Sequence, residues 1–279
     1  MDAGITREPW SLRLLAKKQG GGSAIQAGEY ELPKSLNLQQ FLHRIVNGIG
    51  QIDVRVTVLE GWTFSQMRSA LAEAEKLNHE TINWSDAQIM EAMGQPGVHP
   101  EGQFYPDTYY YRANDSDLVI YRKAHDLMQK KLADVWQQRQ PGIQIETPYE
   151  ALILASIIEK ETWVPEEQPR VAGVFMNRLK KGMRLQTDPT VIYGVGAAYD
   201  GDITRQHLKT DTPYNTYTRS GLTPTPISLP GEDSLLAAVD PEKTDAYYFV
   251  AMGGGRHKFS KTLEEHNRAV RKYILGKSE

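Results

Sequence analysis

Between Thr147 and Thr162 the chain reads TPYEALILASIIEKET, the stretch that most tightly limits the possible fold. Threonine followed by proline places a capping hydroxyl and a first-turn proline together, so a helix starts here. At about 100° per residue, Ala151, Leu152, Ile153, Leu154, Ala155, Ile157 and Ile158 almost encircle that helix. A helix that is apolar all round belongs in a core. It ends in two glutamates placed two apart, which point to roughly opposite sides. Glu161 stacks on Leu154, Ile157 and Ile158 at helical spacings, whereas Glu159 shares its side with Ser156 and Lys160. Glu161 is therefore expected to be the less solvated carboxyl. Desolvation disfavours the charged form and raises the pKa, as a group that donates a proton near neutral pH requires.

Composition narrows what such a core can serve. At 279 residues the chain has room for two domains of ordinary size. The net charge of −3 comes from 32 basic and 35 acidic residues that are well mixed. That balance argues against a nucleic-acid surface, and the pairs Lys17-Lys18, Lys130-Lys131 and Lys180-Lys181 read as solvated helix faces. Without cysteine there is no disulfide, thiolate metal site or cysteine nucleophile. The seven histidines are scattered and no HExxH occurs, so no metal is expected. No P-loop, GxGxxG or GxSxG stands in the chain either, so no cofactor is expected. No stretch approaches the roughly 20 apolar residues of a membrane span, and the start lacks a basic-then-apolar signal pattern. Gly20-Gly21-Gly22-Ser23 reads as a flexible joint.

Two similar units stand near the start. Residues 27–48 predict a short alternating strand, a polar turn and an amphipathic helix with Leu38, Phe41, Leu42, Ile45 and Val46 on one stripe. Residues 53–75 repeat that order: Val54, Val56 and Val58 alternate, Glu60-Gly61 turns, and Thr63 caps a helix carrying Met67, Ala70 and Leu71. Such units occur in any α+β domain. A proline- and glycine-rich stretch, 94–102, marks a boundary. A long helix follows over about 115–140, with Leu118, Tyr121, His125, Met128, Leu132 and Val135 as its core stripe, and another over about 166–181 carries Val171, Val174, Phe175 and Leu179. Thr187-Asp188-Pro189 is a further helix start, which gives Asp188 a structural reading beside a substrate one; Asn177 and Gln186 are the better polar contacts. A strand over 246–252, a hairpin turn at Gly253-Gly254-Gly255 and a closing helix from Thr262 complete the pattern.

The long segment 199–233 shows little periodicity, and loops of that length are functional or disordered. Tyr214, Asn215, Thr216 and Tyr217 interleave rings with amide and hydroxyl groups, a combination suited to a carbohydrate, although tyrosines in loops also serve packing. As loop residues, Asn215 and Tyr217 should contribute little to a core, so their truncation should leave stability within about 1 kcal/mol.

ASIIEKET, EGQFYPDTY (101–109), RVAGVFMNRLKKGMRLQTDPTVIYGVG (170–196) and TPYNTYTRSGL (212–222), in this order, make the chain resemble the endolytic murein transglycosylases of the YceG-like family. The resemblance covers nearly the whole chain. It implies an α+β protein: a small LysM-like peptidoglycan-binding domain over 1–96, and a larger mixed α/β catalytic domain over 97–279 built on a buried catalytic helix. It further implies that Glu161, the glutamate directly followed by threonine, cleaves peptidoglycan glycan strands as a single acid and base. Glu159, Asn177, Gln186, Asp188, Tyr193, Tyr214, Asn215, Thr216 and Tyr217 would line the substrate. A noncatalytic peptidoglycan-binding module and a water-using muramidase are the alternatives. Relatives act at the periplasmic face of the inner membrane, near cell-wall synthases such as penicillin-binding proteins. Two departures stand out. The family's N-terminal membrane helix and first LysM-like strand are missing, so a truncated soluble piece is expected. Thr223 and Thr225 stand where relatives tend to have Pro and Gly, which bears on fine substrate preference.

Overall fold

The structure, a computed structural model, describes residues 25–26, 29–52 and 54–276. The Gly20–Ser23 joint, Lys17-Lys18 and positions 27, 28 and 53 of the expected N-terminal strands lie outside the described residues. The architecture is mixed α and β, with ten α-helices and two small antiparallel sheets among the described residues.

Three hydrophobic cores organise it. The smallest lies under helix α1 (Leu38–Asn47), whose Leu42 and Ile45 pack with Tyr30, Phe41 and Val46. Asn37 and Gln40 close its N-terminus as a reciprocal capping box, and Gly48 ends it in the left-handed region. Before it, among the described residues, one antiparallel bridge joins Tyr30 to Gln51.

The second core draws on β1 (Val54–Thr57), α2 (Phe64–Glu73), α3 (Asp86–Ala92), β2 (Thr108–Tyr111) and the first turns of α4 (Asp117–Gln137). β1 pairs with β2 from Val54↔Tyr111 to Thr57↔Thr108. Phe64, Phe104 and Tyr121 form its aromatic centre, with ring centroids 5.0–6.0 Å apart. This core is continuous across position 96, where the sequence suggested a boundary, because the segment after that boundary returns as the partner strand. Thr63 caps α2 as expected, accepting from Gln66 N while Gln66 Oε1 accepts from Thr63 N.

The third core surrounds α5 (Pro148–Glu161), every residue of which from Ala151 to Ile158 is buried. Helices α4, α6 (Gln168–Lys180) and α9 (Glu232–Val239) enclose it. The expected cap is present: Thr147 Oγ1 accepts from Glu150 N, with Pro148 in the first turn. A hairpin of β3 (Tyr248–Gly253) and β4 (Arg256–Ser260) covers α6 through Phe249, and helix α10 (Leu263–Tyr273) closes the chain with a Thr262–Glu265 capping box. Gly173 on α6 permits the close approach of the segment before the hairpin: a Cβ there would stand 2.3 Å from the Glu242 carbonyl oxygen.

Segment 199–233 contains a short helix, α8 (Arg205–Lys209), and its last part is buried from Pro226 to Gly231. Ser156 anchors that part: its hydroxyl accepts from Ile227 N at 2.9 Å and its carbonyl accepts from Ser228 Oγ at 3.0 Å. Leu229 then exchanges backbone bonds with Gly61 and Trp62, which joins the second core to the third. None of the described helices is long and apolar enough to cross a membrane.

Candidate active site

The end of α5 emerges at the seam between the second and third cores. A cleft of about 300 Å³ opens there, with Glu60, Gly61, Trp62 and Gln66 on one wall and Glu159 to Trp163 on the other. Glu161 lines it and is half-buried. The loss of solvent around its carboxyl is the main reason its pKa is raised to about 7; Asp188 pushes the same way, while the Thr187 hydroxyl and the Arg178 guanidinium partly offset the rise.

Thr187 is the N-cap of α7 (Asp188–Val195), yet its hydroxyl caps nothing. It donates instead to Glu161 Oε1. The cap is diverted because Thr216 holds the turn from outside: Thr187 N donates to Thr216 Oγ1 at 3.1 Å, and Thr190 and Thr216 hydroxyls pair at 2.8 Å. Gln186 stands just before, in the left-handed region at φ 49°, with its backbone N–H donating to the Thr216 carbonyl at 3.2 Å. Arg178 on α6 supplies the nearby positive charge. Its guanidinium is buried and donates to the Tyr247 and Leu185 carbonyls, each at 2.6 Å.

The structure gathers only part of the expected set around Glu161. Asp188 is exposed and accepts the Tyr217 hydroxyl at 2.5 Å, and the pair lies close enough to Glu161 to interact with its charge, forming a rim beside that carboxyl. Thr216 is buried and acts through Thr187. Asn177 and Asn215 have other partners. The Asn177 amide donates to the Thr244 and Ala246 carbonyls at 2.9 and 3.0 Å, tying α6 to the segment before the hairpin. Asn215 is 1% exposed, and its amide donates to the carbonyls of His207, Leu208 and Thr210. Both side-chain NH2 groups thus donate to backbone carbonyls. Tyr193 and Tyr214 form an edge-to-face pair at 4.9 Å; the Tyr193 hydroxyl donates to Glu101 at 3.1 Å and that of Tyr214 pairs with Thr225 at 2.9 Å.

Glu159 departs from its solvated reading. Its Oε2 accepts from Gly231 N at 3.0 Å and Ser234 Oγ at 2.7 Å, so it is the anion at the N-terminus of α9. Its charge helps to raise the pKa of Glu60 across the cleft, behind desolvation as the larger cause.

Three contributors escaped the sequence reading. Along the chain Thr187 signals only a helix cap. Arg178 carried no signal beyond its place on an amphipathic helix. Glu101 lies inside the EGQFYPDTY segment, where its type alone could have marked it. It is 3% exposed, accepts from Phe64 N at 2.8 Å and from Tyr193, and burial pushes its pKa up to about 7.

One desolvated carboxyl, steadied by a hydroxyl and open to a cleft between two cores, defines a site for proton transfer to and from a bound molecule. The YceG-like family model matches residues 1–272. The endolytic murein transglycosylase of Bacillus subtilis is 35% identical over 278 residues, which cover 94% of this chain and 77% of that protein. That of Streptococcus pneumoniae (strain D39) is 25% identical over 286 residues, and the chain spans about half, 51%, of its length. The crystal structure of a putative yceG-like protein from Listeria monocytogenes superimposes with a TM-score of 0.65 at 32% identity, covering 95% of this chain and 91% of that one. The chain belongs to the YceG-like family.

Proposed function

We propose that this protein is a lytic transglycosylase that cuts peptidoglycan glycan strands internally at the bond from N-acetylmuramate to N-acetylglucosamine. The observation that carries the reading is Glu161: a carboxyl whose pKa is raised to about 7, lining a cleft, in a chain related along nearly its whole length to endolytic murein transglycosylases. Protonated Glu161 donates to the bridging oxygen, and the bond from that oxygen to muramate C1 breaks, releasing the glucosamine 4-hydroxyl. The resulting carboxylate takes the proton of the muramate 6-hydroxyl as its oxygen closes onto C1. The product is a 1,6-anhydro ring, and Glu161 regains its proton without consuming water. Thr187 holds Oε1 throughout, which fixes the carboxyl and stabilises its charged interval.

The other two carboxyls on the cleft make a water-using muramidase the second reading, since hydrolases pair two carboxyls across the scissile bond. Against it, Glu159 is engaged by Gly231 and Ser234. Mass spectrometry of digested glycan strands decides: anhydro ends support the lytic reaction, reducing ends that have gained water overturn it, and intact strands leave a binding module. On the same reading residues 1–96 are a LysM-like glycan-binding region and 97–279 the catalytic domain, the two sharing the second core instead of each closing a core of its own. The protein would act from the periplasmic face of the inner membrane beside penicillin-binding synthases. Cell fractionation and cross-linking test that placement, and recovery away from both would refute it.

A further inference from the structure

Trp163 follows the catalytic helix by two residues and is 75% exposed. A ring this large held in water offers apolar area that a bound ligand can cover. Its backbone is nevertheless firmly held. Thr162 before it is buried, with its hydroxyl accepting from Val164 N at 3.1 Å and its carbonyl accepting from Gln168 Nε2 at 3.2 Å. Behind it, Glu167 binds both the backbone and the ring of His257 at 2.9–3.1 Å, clamping the segment to β4. The hairpin turn is shaped to the indole: a Cβ at Gly255 would lie 2.6 Å from Trp163 Cζ2, and that glycine's φ is 75°. The ring therefore has a fixed seat and an uncovered remainder, and with Trp62 and Glu161 it lines the same cleft.

We propose that Trp163 is a substrate-contacting platform on which one N-acetylhexosamine ring of the glycan strand stacks beside Glu161. This rests on the glycan reading of the cleft. An indole face covers the apolar C–H patch of a pyranose while the sugar's hydroxyl and amide groups stay available to polar groups lining the cleft, such as Gln66. Because the ring already packs against Gly255 and the Thr162 and Glu167 contacts hold the backbone that carries it, little side-chain freedom is lost on binding. Trp62, half-buried on the opposite wall, limits the width of the slot.

The test measures binding of a short peptide-free strand of alternating N-acetylglucosamine and N-acetylmuramate by isothermal titration, in a Glu161→Gln background that prevents turnover. Adding Trp163→Ala or Trp163→Leu should weaken binding about tenfold, whereas Trp163→Phe should keep most of it. Gly255→Ala, which displaces the indole without removing it, should weaken binding in the same direction. With Glu161 intact, Trp163→Ala should raise KM about tenfold and leave kcat near its original value. Unchanged affinity and KM in the alanine and leucine variants overturn the proposal, as does a fall in melting temperature with no change in affinity, since that is packing alone. If the unsubstituted protein yields no anhydro ends but its glycan affinity still depends on Trp163, the lytic reading falls and the platform stands.

Discussion

Glu161 can act as an acid only while it holds its proton, and with a pKa of about 7 that condition fails above neutrality. The rate of anhydro-end formation should therefore be highest below about pH 7 and fall as pH rises through it. Thr187→Val removes a hydrogen bond that favours the charged form, so the alkaline limb should move to higher pH. A limb that stays fixed would show that Thr187 does not reach the reacting carboxyl. Glu161→Gln keeps shape and polarity but cannot transfer a proton. It should fold normally and lose at least ~100-fold in rate. Glu159→Gln is the control, with a smaller loss in activity and about 1 kcal/mol in stability from weakened interaction with the start of α9. If Glu159→Gln is inactive while Glu161→Gln turns over normally, the roles of the two carboxyls are reversed.

Among the elements, segment 199–233 shows most clearly what residue type alone leaves open. Its aromatic and amide residues were legible as a cluster, but side chains of that type serve a ligand or the backbone equally well. Asn215 serves the backbone, bridging three carbonyls around the end of α8. Asn215→Ala should destabilise by about 1–3 kcal/mol by removing the hydrogen bonds that this buried side chain makes, more than a loop position would suggest. Tyr217→Phe removes only the bond to Asp188 at the rim and should stay within about 1 kcal/mol. Denaturant midpoints check both, and equal small effects would refute the packing role of Asn215. On α6, Gly173→Ala should destabilise by about 1–3 kcal/mol because the Glu242 carbonyl occupies the space a methyl would need. A neutral result would mean that the segment before the hairpin shifts freely.

At the scale of the whole molecule, two carboxyls with pKa near 7, Glu101 and Glu161, sit at the seam between the second and third cores. Both are raised from an ordinary value of 4.5, so the folded chain holds their protons more tightly than the unfolded chain does. Their contribution to stability is fully present below about pH 4.5 and is lost as pH rises through about 7. Urea midpoints across that window should fall with pH in the unsubstituted protein. The decline should be shallower in Glu101→Gln and in Glu161→Gln. A slope unchanged by either substitution would contradict the desolvation of that carboxyl.

Much of this could be read along the chain because its causes are local. Helical spacing makes α5 apolar on every side and turns Glu161 toward the isoleucines, and the Thr147, Thr63 and Thr262 caps depend on residues only three positions away. The glycine turn of the last hairpin is equally local. What required the tertiary structure is which distant group meets which. Thr187 reaches Glu161 from 26 positions away, Glu159 finds the start of α9 instead of water, and Asn177 and Asn215 turn to backbone carbonyls. Hydrogen-bonding capacity is written in the residue type, but the partner is whichever unsatisfied group packing brings within about 3 Å, and that is set by how the cores close on one another.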